Sequence, residues 1–300
     1  MRFLLVPALF TISQLGFAAD PIFNYIMPDA KYMAGVDIQK AKASPFTRSI
    51  LDSVPKGFFE TIGLDPQRDL DEVVMASQKE GSGIAIVRGR FDSGKITGTL
   101  KLLGAVQSEM QNGVEIFRQQ GNAFFLIGGH TVLVGDLESV KAAAARNYSS
   151  VPVDAAKAAK VQSLREGSDV WMITNSPNFD MKPKGGKVQN GNAGPMAGIM
   201  NGDFFKAVDQ AAVGLRFTTT TVDLNVEATA KTEKDAGALA DVVRFLSNMV
   251  QLNRENQDVA AFATAVDSMQ LTQNAKVIRV KMAMPQSQLE KMMKGHGQKI

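Results

Sequence analysis

Short apolar segments with period-two alternation, joined by glycine-rich turns, are the feature that most restricts the fold. In the segment Val222–Lys231, the apolar residues Val222, Leu224, Val226 and Ala228 alternate with polar ones, which is typical of a strand with one buried face. Glu233–Leu252 instead carries its apolar residues at helical spacing. Strands linked by short turns, with helices inserted between pairs, predict an α+β protein. We expect an antiparallel sheet with helices packed on one face.

The same order of strands and helices occurs twice along the chain. The pattern predicts two similar α+β halves, an N-terminal half at residues 19–148 and a C-terminal half at 168–300, joined by a linking helix at 149–167. A glycine-rich loop at 180–202 interrupts the second half. Internal duplication would explain the repeated order. The alternative is that two α+β halves share an order of elements without common descent.

The first residues have the order of a secretory signal peptide. Arg2 precedes the mostly apolar run Phe3–Phe17, and small residues follow it. We expect a signal peptide at residues 1–18. Cleavage after Ala18 is favoured over cleavage after Ala19, since it places small Gly16, rather than bulky Phe17, three residues before the cut. The exported protein would be periplasmic or extracellular, with no membrane span after cleavage.

The composition excludes several classes of site. The 300 residues include no cysteine and two histidines, so disulfides, thiolate metal sites and histidine-rich metal sites are ruled out. The formal net charge of +3 is small for this length, which argues against a nucleic-acid partner. The sequence implies no cofactor. We expect a protein or small-molecule partner in the cell envelope.

Several short motifs resemble a family of secreted bacterial proteins of unknown function. The family has a Pro-Ala-Asp start, a Gly-x-Asp-x-x-x-Asp turn and a Gly-Val-x-Ile-aromatic strand. The resemblance covers residues 27–146 of this chain. The turn motif matches Gly63-Leu64-Asp65 with Asp69, and the strand motif matches Gly113-Val114-Glu115-Ile116-Phe117. The first motif is altered, because Pro28-Asp29-Ala30 stands where the family has Pro-Ala-Asp. The resemblance implies an extracytoplasmic α+β protein and no particular activity.

Two near-motifs and one acidic cluster offer chemistry. Gly89–Lys95 approaches a phosphate-binding loop, but Ile96 occupies the position of the magnesium-binding hydroxyl. Ser53 and Lys56 have the spacing of the penicillin-recognising enzymes, but Pro55 disfavours the required helical turn. Calcium prefers oxygen ligands, so four carboxylates within eight positions form a candidate calcium site: Asp65, Asp69, Asp71 and Glu72.

No set of residues forms a recognisable catalytic site, so the sequence favours a non-enzymatic protein. Its role would be binding or structural, in the cell envelope or outside the cell, through a sheet face or the glycine-rich loop. One alternative is a hydrolase that works without histidine, using serine or carboxylates. Another is a carrier of a lipid or small molecule, which would need a large apolar cavity.

Overall fold

The computed structural model describes residues 20–42, 44, 65–79, 81–90, 92–102, 104, 107–119, 121–146, 154–175 and 205–288. Its strands are β1 (Tyr32–Asp37), β2 (Leu70–Lys79), β3 (Ser82–Gly89), β4 (Gln107–Gln111), β5 (Val114–Gln119), β6 (Asn122–Ile127), β7 (Thr131–Asp136), β8 (Val170–Thr174), β9 (Val208–Phe217), β10 (Thr221–Ala230), β11 (Gln270–Asn274) and β12 (Val277–Pro285). Its helices are α1 (Ile38–Ala41), α2 (Pro66–Asp69), α3 (Ser93–Leu102), α4 (Leu137–Arg146), α5 (Ala155–Gly167), α6 (Glu233–Leu252) and α7 (Gln257–Asp267), with 3-10 turns at Pro21–Tyr25 and Phe205–Ala207.

All these strands belong to one 12-stranded sheet, in the order β4-β5-β6-β7-β3-β2-β1-β8-β9-β10-β12-β11. Each neighbouring pair is antiparallel, as the alternation predicts. The central ladder joins β1 to β8, with Met33 opposite Ile173. The sheet is therefore continuous between the segment before α5 and the segment after it.

Helices pack on both faces of this sheet, which corrects the expectation of one covered face. The α4–α5 face is covered by the first 3-10 turn, α4 and α5, over a core that includes Val74, Ile86 and Phe125. On the opposite α3–α6 face, α1 and α3 pack on Val73, Val87 and Phe124. Consecutive strand residues point to opposite faces. Neighbouring residues such as Val73 and Val74, or Phe124 and Phe125, are both apolar, so both faces of the sheet carry apolar side chains to bury.

In the part of the sheet that follows α5, neighbouring strand residues also bury their side chains on opposite faces. Ala212 of β9 joins the core of the α4–α5 face, whereas its neighbour Ala211 packs with α6 on the α3–α6 face. In α6, Ala236 and Leu239 are buried against Ile278 of β12. No helix of the described chain is long and apolar enough to cross a membrane.

Local chemistry explains where several elements begin and end. The Thr232 hydroxyl accepts the backbone N–H of Asp235 at 3.1 Å and caps α6, whose first turn is acidic. Asn112 and Gly113, both with positive φ, form the two-residue turn between β4 and β5. A turn of this kind matches the right-handed twist of the two strands it joins.

The sequence located most of these elements. The predicted helix Glu233–Leu252 is confirmed with the same bounds, and α5 lies within residues 149–167, where the linking helix is predicted. The polar strands β4 and β11 were not predicted. The signal peptide at 1–18, the loop at 180–202, Ser53 and Lys56 lie outside the described residues.

Candidate functional site

A groove of about 1430 Å³ opens on the α4–α5 face. One wall is α5, with Ala155, Ala158 and Ala159. The other is the end of the sheet where β1 and β3 finish and β2 begins, together with the turn that carries His130. Small side chains along α5 leave the space open, and charged side chains of both signs line the sheet side.

Arg165 of α5 crosses the groove to two carboxylates. Its Nε and Nη2 donate to Oε1 and Oε2 of Glu72, both at 2.8 Å, in a bidentate pair. Its Nη1 donates to Oδ2 of Asp20 at 3.0 Å. Bidentate guanidinium–carboxylate pairs are among the stronger and more directional polar contacts in proteins. Arg165 therefore joins α5, β2 and the residue that precedes the first 3-10 turn.

Arg88 of β3 completes the network from the other side. Its guanidinium pairs with Asp20, with Nη1 donating to Oδ2 at 2.7 Å, and reaches Oε2 of Glu72 at 3.3 Å. Each carboxylate thus contacts both guanidiniums, and all four side chains are less than a third exposed. We call Asp20, Glu72, Arg88 and Arg165 the four-residue ion network.

The surroundings of Asp20 and Arg88 favour the ionised forms of these two side chains. Burial raises the pKa of Asp20, but hydrogen bonds from Arg88 and the Ile22 backbone, with the charge of Arg165, leave this pKa below its usual value. Burial likewise lowers the pKa of Arg88, but the hydrogen bonds and charges of Asp20 and Glu72 together raise this pKa above its usual value. The two cations and two anions neutralise one another, so the network stabilises the groove without adding net charge.

Two aromatic side chains support this network. The Arg165 guanidinium lies 5.7 Å from the centre of the Phe23 ring, within cation–π distance. Trp171 of β8 lines the groove and is 2% exposed. The chain has a single tryptophan, so tryptophan fluorescence reports on the surroundings of this one side chain.

Hydrogen bonds from neighbouring groups engage three of the four predicted calcium ligands, Asp69, Asp71 and Glu72. The Asp69 carboxylate accepts from Arg68 and from the Asp65 backbone N–H, and the Arg68 bond holds its pKa at about 2. The Asp71 carboxylate accepts from the Gln39 side chain at 2.7 Å, and Glu72 belongs to the ion network. Among the described residues, no group of three acidic or histidine side chains could hold a metal.

The segment Gly89–Lys95, which approaches a phosphate-binding loop in sequence, lies between β3 and the first turn of α3. Its Asp92 accepts the Lys95 backbone N–H at 3.0 Å. A carboxylate already serves as the acceptor at the start of α3, where a phosphate would need free N–H groups. His130 lies in the β6–β7 turn and borders the groove.

Sequence reasoning missed the ion network. Glu72 and Arg88 are direct partners in the β2–β3 register, so a prediction that these strands form a hairpin would have suggested that pair. Arg165 is 93 positions from Glu72 and 145 from Asp20 along the chain. No local pattern connects residues at such separations.

Comparison with solved structures supports the architecture. Three crystal forms of TP0453 match over 92–93% of this chain and 97–99% of theirs, with TM-scores of 0.54, 0.57 and 0.51. The fold resembles that of TP0453. The sequence identity to TP0453 is 9–10%, so the likeness concerns the fold alone. No known family matches the chain, and no curated protein sequence matches it.

Proposed function

We propose that this chain is an exported, non-enzymatic binding protein whose groove beside α5 receives a polar ligand or partner segment. The observation that carries the proposal is the groove of about 1430 Å³ bordered by the four-residue ion network. Side chains held in place by mutual ion pairs present a preorganised polar surface, which lowers the entropy cost of binding. The partner belongs to the cell envelope or the extracellular space.

The engaged carboxylates favour binding over hydrolysis. A general base must be free to accept a proton from substrate or water. Asp20 and Glu72 are instead paired with two guanidiniums each, and Asp71 accepts from Gln39. The same charged lining argues against a lipid carrier, which needs an apolar cavity.

Export rests on the signal-peptide pattern and on composition. A chain without cysteine is indifferent to the redox state of its compartment, so packing and ion pairs must stabilise it after export. N-terminal sequencing of the protein from its own cells tests this step. We expect a mature start at Ala19, and a start at Met1 would contradict export by cleavage.

The binding proposal is tested by native mass spectrometry of the protein purified from its own envelope fraction. The groove is blocked by Ala159→Trp, at an exposed position of α5, and the matched control is Ala142→Trp, at an exposed position of α4 away from the groove. We expect a polar ligand or a stoichiometric partner on the wild type and on the control, and its loss from Ala159→Trp. An empty wild type, a bound lipid, or equal binding by both variants would overturn the proposal.

We also propose that the two segments arose by duplication. The strand order supports this history: β7 returns beside β3 after α3, and β12 returns beside β10 after α6 and α7. If the segments are duplicates, the strands β1, β2, β3 and β7 should superpose on β8, β9, β10 and β12 in that order. If these strands do not superpose, the duplication proposal is wrong and the two segments share an order of elements without common descent.

A further inference from the structure

The sheet is open, and its two edges differ in chemistry. β4 is the edge strand at one end and β11 at the other. Among the described residues, β11 pairs with β12 alone and β4 with β5 alone. An edge strand presents unpaired backbone donors and acceptors, and natural proteins usually protect such an edge with charge, proline or a bulge.

β11 has none of these protections. Its five residues, Gln270–Asn274, include no charged residue and no proline, and its register with β12 is regular. Leu271 is half-buried against the core beside α6, while Thr272 and Gln273 are exposed. The strand is held in position from one side and offers an uncharged edge on the other.

β4 carries a charge at its centre. Glu109 is the middle residue of Gln107–Gln111, paired with Arg118 and with Lys141 at 2.8 Å. The hydrogen bond from Arg118 contributes most to holding the pKa of Glu109 at about 2, so this side chain stays ionised. Antiparallel pairing of β4 with a copy of itself would place Glu109 opposite Glu109, and like charges directly opposite destabilise a strand pair.

Polar groups of β12 beside β11 already have partners within the chain, so they do not compete with a strand added at β11. The Ser268 hydroxyl accepts the Ala283 N–H at 2.8 Å and donates to its carbonyl at 3.1 Å, so β12 is satisfied just beyond the end of β11. Arg279, opposite Thr272 in the register, donates to Glu227 at 2.8 Å, which neutralises the cation opposite the centre of β11.

We propose that β11 is a self-association edge, which pairs antiparallel with β11 of a second copy of this chain about a two-fold axis beside Thr272. Thr272 then lies opposite Thr272 of the second copy, and Leu271 opposite Gln273. These pairs bring no like charges together, and threonine pairs are favourable across strands. The sheets of the two copies become continuous, in the isologous arrangement that closes at a dimer. This proposal does not depend on the groove.

The test is the oligomeric state of the full-length mature protein, measured by light scattering over a concentration series. The wild type is expected to be a dimer. Thr272→Lys and Thr272→Glu, each at an exposed position, should be monomers because two like charges meet at the axis. Mixing the two variants should restore a dimer, since lysine then faces glutamate. The control Met110→Lys, on exposed β4, should remain a dimer.

Cross-linking gives a second measurement that does not rely on weakening the dimer. Because the chain has no cysteine, Thr272→Cys introduces a single thiol that meets its copy across the axis. Oxidation should give a disulfide-linked dimer, and Met110→Cys should not. A monomeric wild type, no rescue on mixing, or a dimer broken by Met110→Lys instead of Thr272→Lys would overturn the proposal.

Discussion

The indole of Trp171 lies directly over Gly35, its partner across the central β1–β8 ladder. A Cβ atom at position 35 would sit 2.5 Å from Cε2 of the indole, far inside van der Waals contact. Only a residue without a side chain leaves room for the ring here. The central ladder, which joins the two segments of the chain, is therefore built around a glycine–tryptophan contact.

Gly35→Ala is expected to destabilise the protein by roughly 1–3 kcal/mol, because the added methyl group overpacks a rigid ring against the sheet. Urea unfolding followed by the fluorescence of Trp171 measures the change, and the emission of the folded variant should also shift as the ring moves. A variant as stable as the wild type, with unchanged emission, would show that the ring accommodates the methyl group.

Gly237→Ala is the matched control and should act in the opposite direction. Gly237 lies inside α6, and a Cβ there meets no atom within 4 Å. Alanine has a lower conformational entropy in the unfolded chain and a higher helix propensity, so the free energy of unfolding should rise by about 0.5–1 kcal/mol. Destabilisation in the same urea experiment would contradict this account of α6.

Arg165→Met removes the cation that joins α5 to β2 and to Asp20. Glu72 and Asp20 then share Arg88 alone, and we expect a loss of roughly 1–3 kcal/mol, below the value for fully buried pairs because the network is partly solvated. Hydrogen exchange of the Ile22–Tyr25 amides should accelerate. The control Arg244→Met breaks an exposed pair with Asp241 and should cost less than about 0.5 kcal/mol. Equal losses would refute a special role for the network.

Asp136 should make stability depend on pH at the acid end. Burial raises its pKa, but the Ser139 and Gly83 N–H groups and the Ser82 hydroxyl, all at 2.9 Å, lower it to about 2. A lowered pKa stabilises the folded state above the pKa of the unfolded chain, and this contribution disappears as the pH falls toward 2.

Asp136→Asn should therefore cost roughly 1–2 kcal/mol at pH 7 and much less near pH 2. Urea midpoints of both proteins along a pH series measure the difference. A difference that stays constant from pH 7 to pH 2 would mean that the carboxylate charge does not contribute.

Elements whose signals are local were predictable. α4 and α6 have helical apolar spacing, and the strands with clear alternation were located within a few residues. β4 and β11 carry mostly polar residues, and only pairing with β5 and β12 makes them strands. The doubly covered sheet was mispredicted, although adjacent apolar pairs such as Val73 and Val74 indicate two buried faces.

The sequence by itself determined the α+β class, the antiparallel pairing, most helices and strands, and the absence of any cysteine chemistry. These properties depend on residues that are neighbours along the chain or on composition alone. Only the tertiary structure decided which face each helix covers, the groove beside α5 and the ion network that borders it. Arg165 reaches Glu72 and Asp20 because α5 packs back on the sheet, and contacts between such distant residues depend on how whole elements bury their apolar faces.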